Sequence, residues 1–354
     1  MGKVVRSSVK IWLICGIVLI LVQILLGAIT RLTGSGLSIT RWDIVTGVLF
    51  PLSDESWNHH FELYKQTPQY QKINSDMRLS DFKFIFFWEY FHRLWARMMG
   101  LVFVFPFVYF LIKNWLNRRL LVHLSIVIIL AAFVASLGWI MVASGLSERP
   151  WVNAYKLSFH FLAAVALLTF IFFTYLDYSC GDLRKWDTGR RGSNVALRIF
   201  AVLVILQLFV AGVMSGTHAG LIAPTWPKIA KDWVPGFLLR GNFSVLYDWS
   251  DYDKNPSFLL LVQFVHRSLA YVIYGFAIWM YFYFRKSSLV LHRYFGLVVG
   301  LLTVQLILGI LTVINCHGKV PLFLAISHQF MGLALWLCVF YGLWRIKNAN
   351  ISVL

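Results

Sequence analysis

The 354-residue chain is 59% hydrophobic and only 13% charged, with a mean hydropathy of +0.71. So little charge excludes a soluble globular protein of this size and indicates a polytopic membrane protein. The net charge of +17 could suggest a nucleic-acid partner. We expect no such partner, because Lys and Arg concentrate in the segments predicted to lie on the cytoplasmic side, as in other membrane proteins.

Eight apolar runs are long enough, at about 20 residues each, to cross a bilayer as helices. In chain order they lie near 11–30, 84–112, 121–143, 155–177, 195–216, 257–284, 293–314 and 321–345. An even number of spans puts both termini on one side, and the charge pattern predicts that this side is the inside. The fold class predicted is therefore an all-α polytopic membrane protein with eight transmembrane helices, in a bacterial cytoplasmic (inner) membrane.

The two halves of the chain resemble each other. "EYFHR" at 89–93 matches "QFVHR" at 263–267, and each opens an apolar helix. "KLSFHFLAAVALL" at 156–168 and "AISHQFMGLAL" at 325–335 each carry one early histidine. We therefore predict two tandem four-helix bundles in a pseudo-twofold repeat, joined by a basic inner linker, with the boundaries 1–180, 181–194 and 195–354.

Four histidines occupy similar positions in helices predicted to enter the membrane from outside: His92, His160, His266 and His328. Each lies about 5–10 residues into its span, roughly 8–15 Å deep. An ionisable side chain at such depth is costly and indicates function. Two histidines on facing helices of a bundle can supply both axial ligands of one haem iron. We therefore predict one haem site in each half, toward the outer face.

A purely structural role or a site for a single metal ion fits these histidines less well. A buried histidine can simply make a helix–helix hydrogen bond, but this does not account for four at a matched depth. A zinc or copper site would require three or four close ligands with Cys or carboxylate support. The cysteines show no metal-binding spacing and are predicted to form no disulfide. The roles of His218, His317 and Cys316 remain open, as do those of the outer loops at 31–83 and 217–256, which we expect to form small helical caps.

An arginine follows a histidine in both halves. Arg93 and Arg267 point about 100° away from the preceding histidine, so they are predicted to bind a haem propionate or to reach the membrane interface. Arg97 lies one helical turn beyond Arg93 and has no arginine counterpart in the second half. We assign all three to cofactor binding.

One acidic position differs between the halves. Glu89 lies on the same helix face as His92, and its counterpart is Gln263. A carboxylate beside a haem edge can take a proton, whereas an amide cannot. This difference predicts a reactive haem in the first half and an electron-transfer haem in the second. A plain Glu89–Arg93 salt bridge is the simpler alternative.

Several longer motifs carry a family resemblance. They are "GAITRLTGSGLSITRW" (27–42), "DFKFIFFWEYFHRLWARMMG" (81–100), "GWIMVASGL" (138–146), "VNAYKLSFH" (152–160), "QFVHR" (263–267) and "QLILGILTVINCHGKVPLFLAISHQ" (305–329). With these motifs the sequence resembles the haem A synthase family, membrane enzymes that make haem A from haem O for cytochrome oxidase. The first outer loop lacks a cysteine pair, which is similar to the proteobacterial and mitochondrial type.

The resemblance implies roles for the site residues. His266 and His328 would hold the cofactor haem b, and the substrate haem O would lie near His92 and His160. Glu89 matches the essential acidic residue of the family. The catalytic set implied is therefore Glu89, His92 and His160. The reaction implied converts a peripheral methyl group of haem O to a formyl group by successive hydroxylation.

The resemblance also implies partners: membrane lipid, haem O synthase, cytochrome oxidase assembly proteins and an electron acceptor, for which a quinone is a candidate. Self-association is a further expectation. Two other functions stay open. A bis-haem electron-transfer cytochrome would normally place one haem near each membrane face. A haem chaperone would bind its ligand without changing it.

Overall fold

The computed structural model describes residues 6–41, 49–147, 149–180, 192–241, 252–286 and 288–349. In chain order the helices are α1 Ser7–Leu32, α2 Asp54–Lys65, α3 Pro68–Ile73, α4 Leu79–Ile112, α5 Arg118–Ala143, α6 Ala154–Ser179, α7 Gly192–Gly216, α8 Gly236–Leu239, α9 Pro256–Phe284, α10 Leu289–Ile314 and α11 Leu322–Ala349. Within the described residues, all of these except α2, α3 and α8 are long and apolar enough to span a membrane. The predicted eight-span all-α membrane protein is confirmed.

Polar side chains cap the first turns of several spans. Asn117, Asn153, Asn255 and Ser288 precede α5, α6, α9 and α10, and each accepts hydrogen bonds from backbone N–H groups of the helix that follows. These bonds satisfy donors that the first turn of a helix leaves unpaired. These four helices therefore begin one to four residues before the corresponding apolar runs of the sequence, directly after the polar residues that cap them.

The chain divides into two compact units, Met1–Gly181 and Asp182–Leu354. In the first unit, α1 packs against α4 and α6, and α5 packs against α6. Over their described residues, α4 and α5 do not pack closely together. In the second unit, α9 and α11 each pack against both α7 and α10. The second unit is thus a closed ring of four helices, while the first is open between α4 and α5.

The predicted basic linker lies mostly outside the described residues, which omit 181–191. The repeat relating the halves and the inside location of the termini remain predictions.

Two indole groups join α1 to α4 within the first unit. Pro106 lies inside α4 and has no N–H to donate to the carbonyl of Val102, four residues before it. Trp12 of α1 donates its Nε1–H to that carbonyl, with an N–O distance of 3.1 Å. Trp95 of α4 donates in the other direction, to the carbonyl of Leu19, also at 3.1 Å. A carbonyl without a partner in an apolar region is costly, so the bond from Trp12 stabilises the α1–α4 contact.

Hydroxyl groups join the neighbouring helices of the second unit. The Tyr274 hydroxyl of α9 lies 3.0 Å from Thr303 Oγ1 of α10. Tyr294 of α10 donates to the Cys338 carbonyl of α11 at 3.1 Å. Gly342 of α11 lies so close to the Tyr294 ring that a β-carbon would overlap with it. These contacts hold α9, α10 and α11 together along the closed ring.

The segment between α1 and α4 forms the short helices expected of a cap. Aromatic and aliphatic side chains of α2 bury against the first turns of α4 in one cluster: Trp57, Phe61, Tyr64, Phe82, Ile85 and Phe86. Burial raises the pKa of Tyr64 to about 12, so this hydroxyl stays protonated at neutral pH. It donates to Gln69 Oε1 at 3.1 Å and accepts from Asn74 Nδ2 at 2.7 Å. The cluster therefore fixes the cap over the N-terminal end of α4.

Candidate functional site

The structure orients two of the four membrane histidines in the same way. His160 Nδ1 lies 3.1 Å from the Val134 carbonyl of α5, and His328 Nδ1 lies 3.0 Å from the Gln305 carbonyl of α10. A carbonyl oxygen only accepts, so Nδ1 carries the hydrogen in both rings. Nε2 therefore keeps the lone pair that binds a metal ion, the usual arrangement of a metal-ligating histidine.

Glycines allow these two rings to lie against the neighbouring helix. A β-carbon at Gly138 of α5 would lie 2.9 Å from His160 Cε1, and one at Gly309 of α10 would lie 2.9 Å from His328 Cε1. No real β-carbon makes so short a contact. Both positions therefore require glycine to keep the histidine in its observed orientation.

The other two histidines are held by glutamines. Gln23 of α1 places its amide nitrogen 2.9 Å from His92 Nε2 and donates to the His92 carbonyl at 3.3 Å. Gln207 of α7 places its amide nitrogen 3.2 Å from His266 Nδ1 and donates to the His266 carbonyl at 3.1 Å. An amide nitrogen only donates, so it meets a ring nitrogen that bears a lone pair. In the second unit the same amide nitrogen also lies 3.5 Å from His266 Nε2.

The histidines form one pair within each unit. The ring centroids of His266 and His328 are 6.4 Å apart, with the planes inclined by 71°. That separation leaves room for one metal ion between the rings at metal–nitrogen bonds of about 2 Å. In the first unit, His92 and His160 are close enough to interact electrostatically. The described residues contain no cluster of three or more His, Cys, Asp or Glu suited to a metal ion. The donor set thus fits two imidazole ligands per unit, as for a haem iron.

Glu89 is buried and fully engaged, with 3% of its surface exposed. Its Oε2 accepts hydrogen bonds from Ser38 Oγ at 2.7 Å and from the Ile39 backbone N–H at 2.8 Å. Its Oε1 forms an ion pair with Arg93. Arg93 also donates to the backbone carbonyls of Ile39 and Arg41, at 3.1 and 3.3 Å. The Glu89–Arg93 salt bridge is therefore present, and it fastens the segment after α1 to α4.

The second unit replaces this ion pair with bonds to carbonyl groups. Gln263 is fully buried and donates to the Ala223 carbonyl at 3.1 Å. Its Oε1 has no hydrogen-bond partner among the described residues. Arg267 donates to the carbonyls of Ala223 and Lys228, both at 3.3 Å. The predicted difference between Glu89 and Gln263 thus replaces a carboxylate–guanidinium pair with three hydrogen bonds to backbone carbonyls, one from Gln263 and two from Arg267.

Several residues of this site were not recognised in the sequence: Gln23, Gln207, Gln305, Gly138 and Gly309. The glutamines interrupt apolar runs, and Gln23 and Gln207 lie in matching helices of the two halves. This match between the two halves is the feature of the sequence that could have identified the two glutamines as site residues. Arg97 lies one turn beyond Arg93 on α4 and is partly buried.

The three residues whose roles the sequence left open, His218, His317 and Cys316, lie just after the ends of α7 and α10. His218 follows α7 in a left-handed conformation, with φ of 55°, and Gly34 makes the same turn after α1 with φ of 70°. His317 is exposed. Cys316 is a buried free cysteine whose thiol donates to the Thr312 carbonyl at 3.2 Å, and burial raises its pKa.

The fold and the site together define a multi-pass helical membrane protein with a histidine pair in each of two units. A family described as cytochrome oxidase assembly protein matches residues 10–340. Among relatives named Heme A synthase, that of Flavobacterium psychrophilum is 39% identical, over 97% of this chain and 99% of the relative. Those of Flavobacterium johnsoniae and Bartonella henselae are 37% and 36% identical, over 97% and 96% of this chain and 99% and 92% of the relatives. The chain belongs to the haem A synthase family of cytochrome oxidase assembly proteins, which confirms the resemblance.

Proposed function

We propose that this protein is an oxidoreductase that converts haem O to haem A during cytochrome oxidase assembly. Its reaction oxidises a peripheral methyl group to a formyl group by successive hydroxylation, and the geminal diol then loses water to form the aldehyde. The observation that carries the proposal is the near-full-length similarity to bacterial proteins named Heme A synthase. The paired histidines of each unit are consistent with two haem molecules per chain.

The substrate haem O is assigned to the first unit, near His92 and His160. Two observations support this assignment. Glu89 supplies an ionisable group beside His92, where the second unit has Gln263. The first unit is also open between α4 and α5, whereas the second is closed. A substrate with a long isoprenoid chain dissolves in the membrane, and an opening between two helices lets such a molecule enter and leave sideways.

The resident cofactor, haem b, is assigned to the second unit between His266 and His328. The 6.4 Å separation of the two rings and the closed helix ring support a permanently held group. When bound, this haem supplies one-electron transfer. The Gln305 carbonyl keeps His328 in the tautomer that ligates through Nε2. Arg267 is assigned to its propionates.

Glu89 is assigned the proton-handling role. Arg93 and Arg97 are assigned to anion binding in the same unit. Ser38, Ile39 and Arg93 hold the Glu89 carboxyl in one orientation, so it meets the substrate without first rearranging. A positioned carboxylate can accept a proton from the reacting group or orient a water molecule at the methyl edge.

The wider setting follows from the same proposal. Eight apolar helices define a multi-pass membrane protein. We place it in the bacterial cytoplasmic membrane, with both termini inside and both haem sites toward the outer face. A quinone is our candidate for the electron acceptor. Haem O synthase, other assembly proteins and a second copy of the chain are candidate contacts within the lipid.

Pigment analysis of the detergent-purified protein tests this function. The haems are extracted, separated by chromatography and identified by mass. Haem b together with haem O, haem A or a hydroxylated intermediate is the expected result. Two haem b per chain, even when haem O is supplied, would instead identify a bis-haem electron carrier. If the protein binds haem O but never oxidises it, although haem b is present to transfer electrons, the protein is a haem chaperone.

Gly309→Ala is expected to lower the haem b content, and Gly138→Ala is expected to lower haem O retention while leaving haem b in place. In each variant the new methyl group displaces a histidine from the carbonyl that orients it. Loss of such an orienting contact typically weakens metal binding about 10- to 100-fold. Haem content per chain, from absorption spectra and pigment extraction, measures both effects.

Gly300→Ala on α10 and Gly100→Ala on α4 are the matched controls, because a β-carbon at either position meets nothing within 4 Å. Both should bind both haems normally. A Gly309→Ala protein with wild-type haem b would contradict the assignment of His328 as a ligand.

A further inference from the structure

Arg31 carries a buried guanidinium nitrogen that no group in the described part of the chain satisfies. It lies in the last turn of α1. Its Nη2 is buried and has no hydrogen-bond partner among the described residues. Two other arginines of the same unit form ion pairs, Arg93 with Glu89 and Arg119 with Asp177. Arg97 Nη1 on α4, like Arg31 Nη2, is buried without a hydrogen-bond partner among the described residues. A buried donor on a cation is costly without an acceptor, so a negatively charged acceptor is expected here.

Arg31 lies on the face of α1 that meets His92. Gln23, Gly27 and Arg31 are spaced four residues apart, so they line one side of the helix. Gln23 contacts the His92 ring, and a β-carbon at Gly27 would lie 3.3 Å from His92 Nε2. Arg31 follows about 6 Å further along the axis. Helical side chains generally lean toward the N-terminus of their helix, which is the direction in which the histidine lies from Arg31.

The second unit has no such cation. Gln207 contacts His266 as Gln23 contacts His92, and the residue eight positions after Gln207 is Ser215. The two left-handed turns that follow, at Gly34 and His218, lie at the same spacing and support this alignment. An anion that needs Arg31 therefore belongs to the molecule bound in the first unit.

We infer that Arg31 is a positioning residue that binds a propionate carboxylate of the substrate haem in the first unit. This inference rests on the proposed function. A guanidinium matches a carboxylate with two parallel N–H···O bonds, which fixes direction as well as distance. Because the two propionates lie on one edge of the macrocycle, holding one of them selects which ring edge faces Glu89. Arg31 thereby determines which methyl group is oxidised, and the second unit, with Ser215, lacks this selection.

The test compares haem O with its dimethyl ester, in which both propionates are uncharged. Both compounds are titrated by absorbance into the purified full-length protein with haem b already bound. Wild type should bind the free acid about tenfold or more tightly than the ester, the size expected for a charge-assisted hydrogen bond. Arg31→Gln should show a clearly smaller preference than wild type, because Arg93 and Arg97 remain as cations, and it should bind the ester as wild type does. Arg31→Lys should retain part of the preference.

Arg119→Gln is the matched control, since it makes the same chemical change in the same unit at an exposed ion pair. It should keep the wild-type preference. An Arg31→Gln protein with an unchanged preference would overturn the inference and leave the proposed function intact. So would an equal weakening of acid and ester, which would mark a structural role or a lipid phosphate on Arg31. Failure of wild type to bind haem O at all would remove the proposed function itself.

Discussion

The Glu89→Gln variant is expected to keep haem b and to bind haem O, but to form haem A about 100-fold or more slowly than wild type. An amide has nearly the same shape as a carboxylate but cannot accept a proton, and positioned acid–base groups typically contribute 10²- to 10⁴-fold, roughly, to a rate. The change also sets an N–H donor against the guanidinium of Arg93, where the structure has an ion pair. Haem A formed per minute, by chromatography of extracted pigments, measures the effect.

Glu62→Gln is the matched control because it changes an exposed glutamate of α2 that forms a surface pair with Lys65. It should form haem A at the wild-type rate. If Glu89→Gln did the same, Glu89 would be a structural salt-bridge partner and the proton-handling role would be wrong. Ser38→Ala, which removes one bond to Glu89, should have a smaller effect of the same kind.

The His328→Ala variant is expected to retain less than about a tenth of the wild-type haem b. It removes the proposed iron ligand. Loss of a group that only orients a ligand weakens metal binding roughly 10- to 100-fold, and loss of the ligand itself should cost at least as much. Because the resident haem would relay the electrons, haem A formation should stop as well. The reduced-minus-oxidised absorption spectrum and the haem b per chain are the measurements.

His160→Ala separates the two sites. It should keep haem b and lose haem O, the reverse of His328→Ala. His317→Ala changes an exposed histidine between α10 and α11 and should keep both haem b and haem O. A loss of haem b from His160→Ala would show that the resident cofactor lies in the first unit, and the assignment of the units would then be reversed.

Much of this site follows from the sequence because of two general constraints. A bilayer admits only long apolar helices, which makes the eight spans visible as hydrophobic runs. The high cost of ionisable groups in lipid makes His92, His160, His266 and His328 stand out. The comparison of Glu89 with Gln263 needed only the internal similarity of the two halves. The polar contacts that hold the histidines did not stand out, because a single glutamine or glycine in an apolar helix carries no such signal.

Hydropathy and residue type were enough to establish the all-α membrane architecture, the positions of the spans and the histidines that could ligate haem. Helix packing was needed to establish which atoms meet. It brought Gly138 and Gly309 against histidine rings, closed the second unit, left the first open between α4 and α5, and buried Arg31 Nη2 without a partner among the described residues. The physical reason is that hydropathy depends on composition along one helix, whereas these contacts depend on how two helices are rotated and spaced against each other.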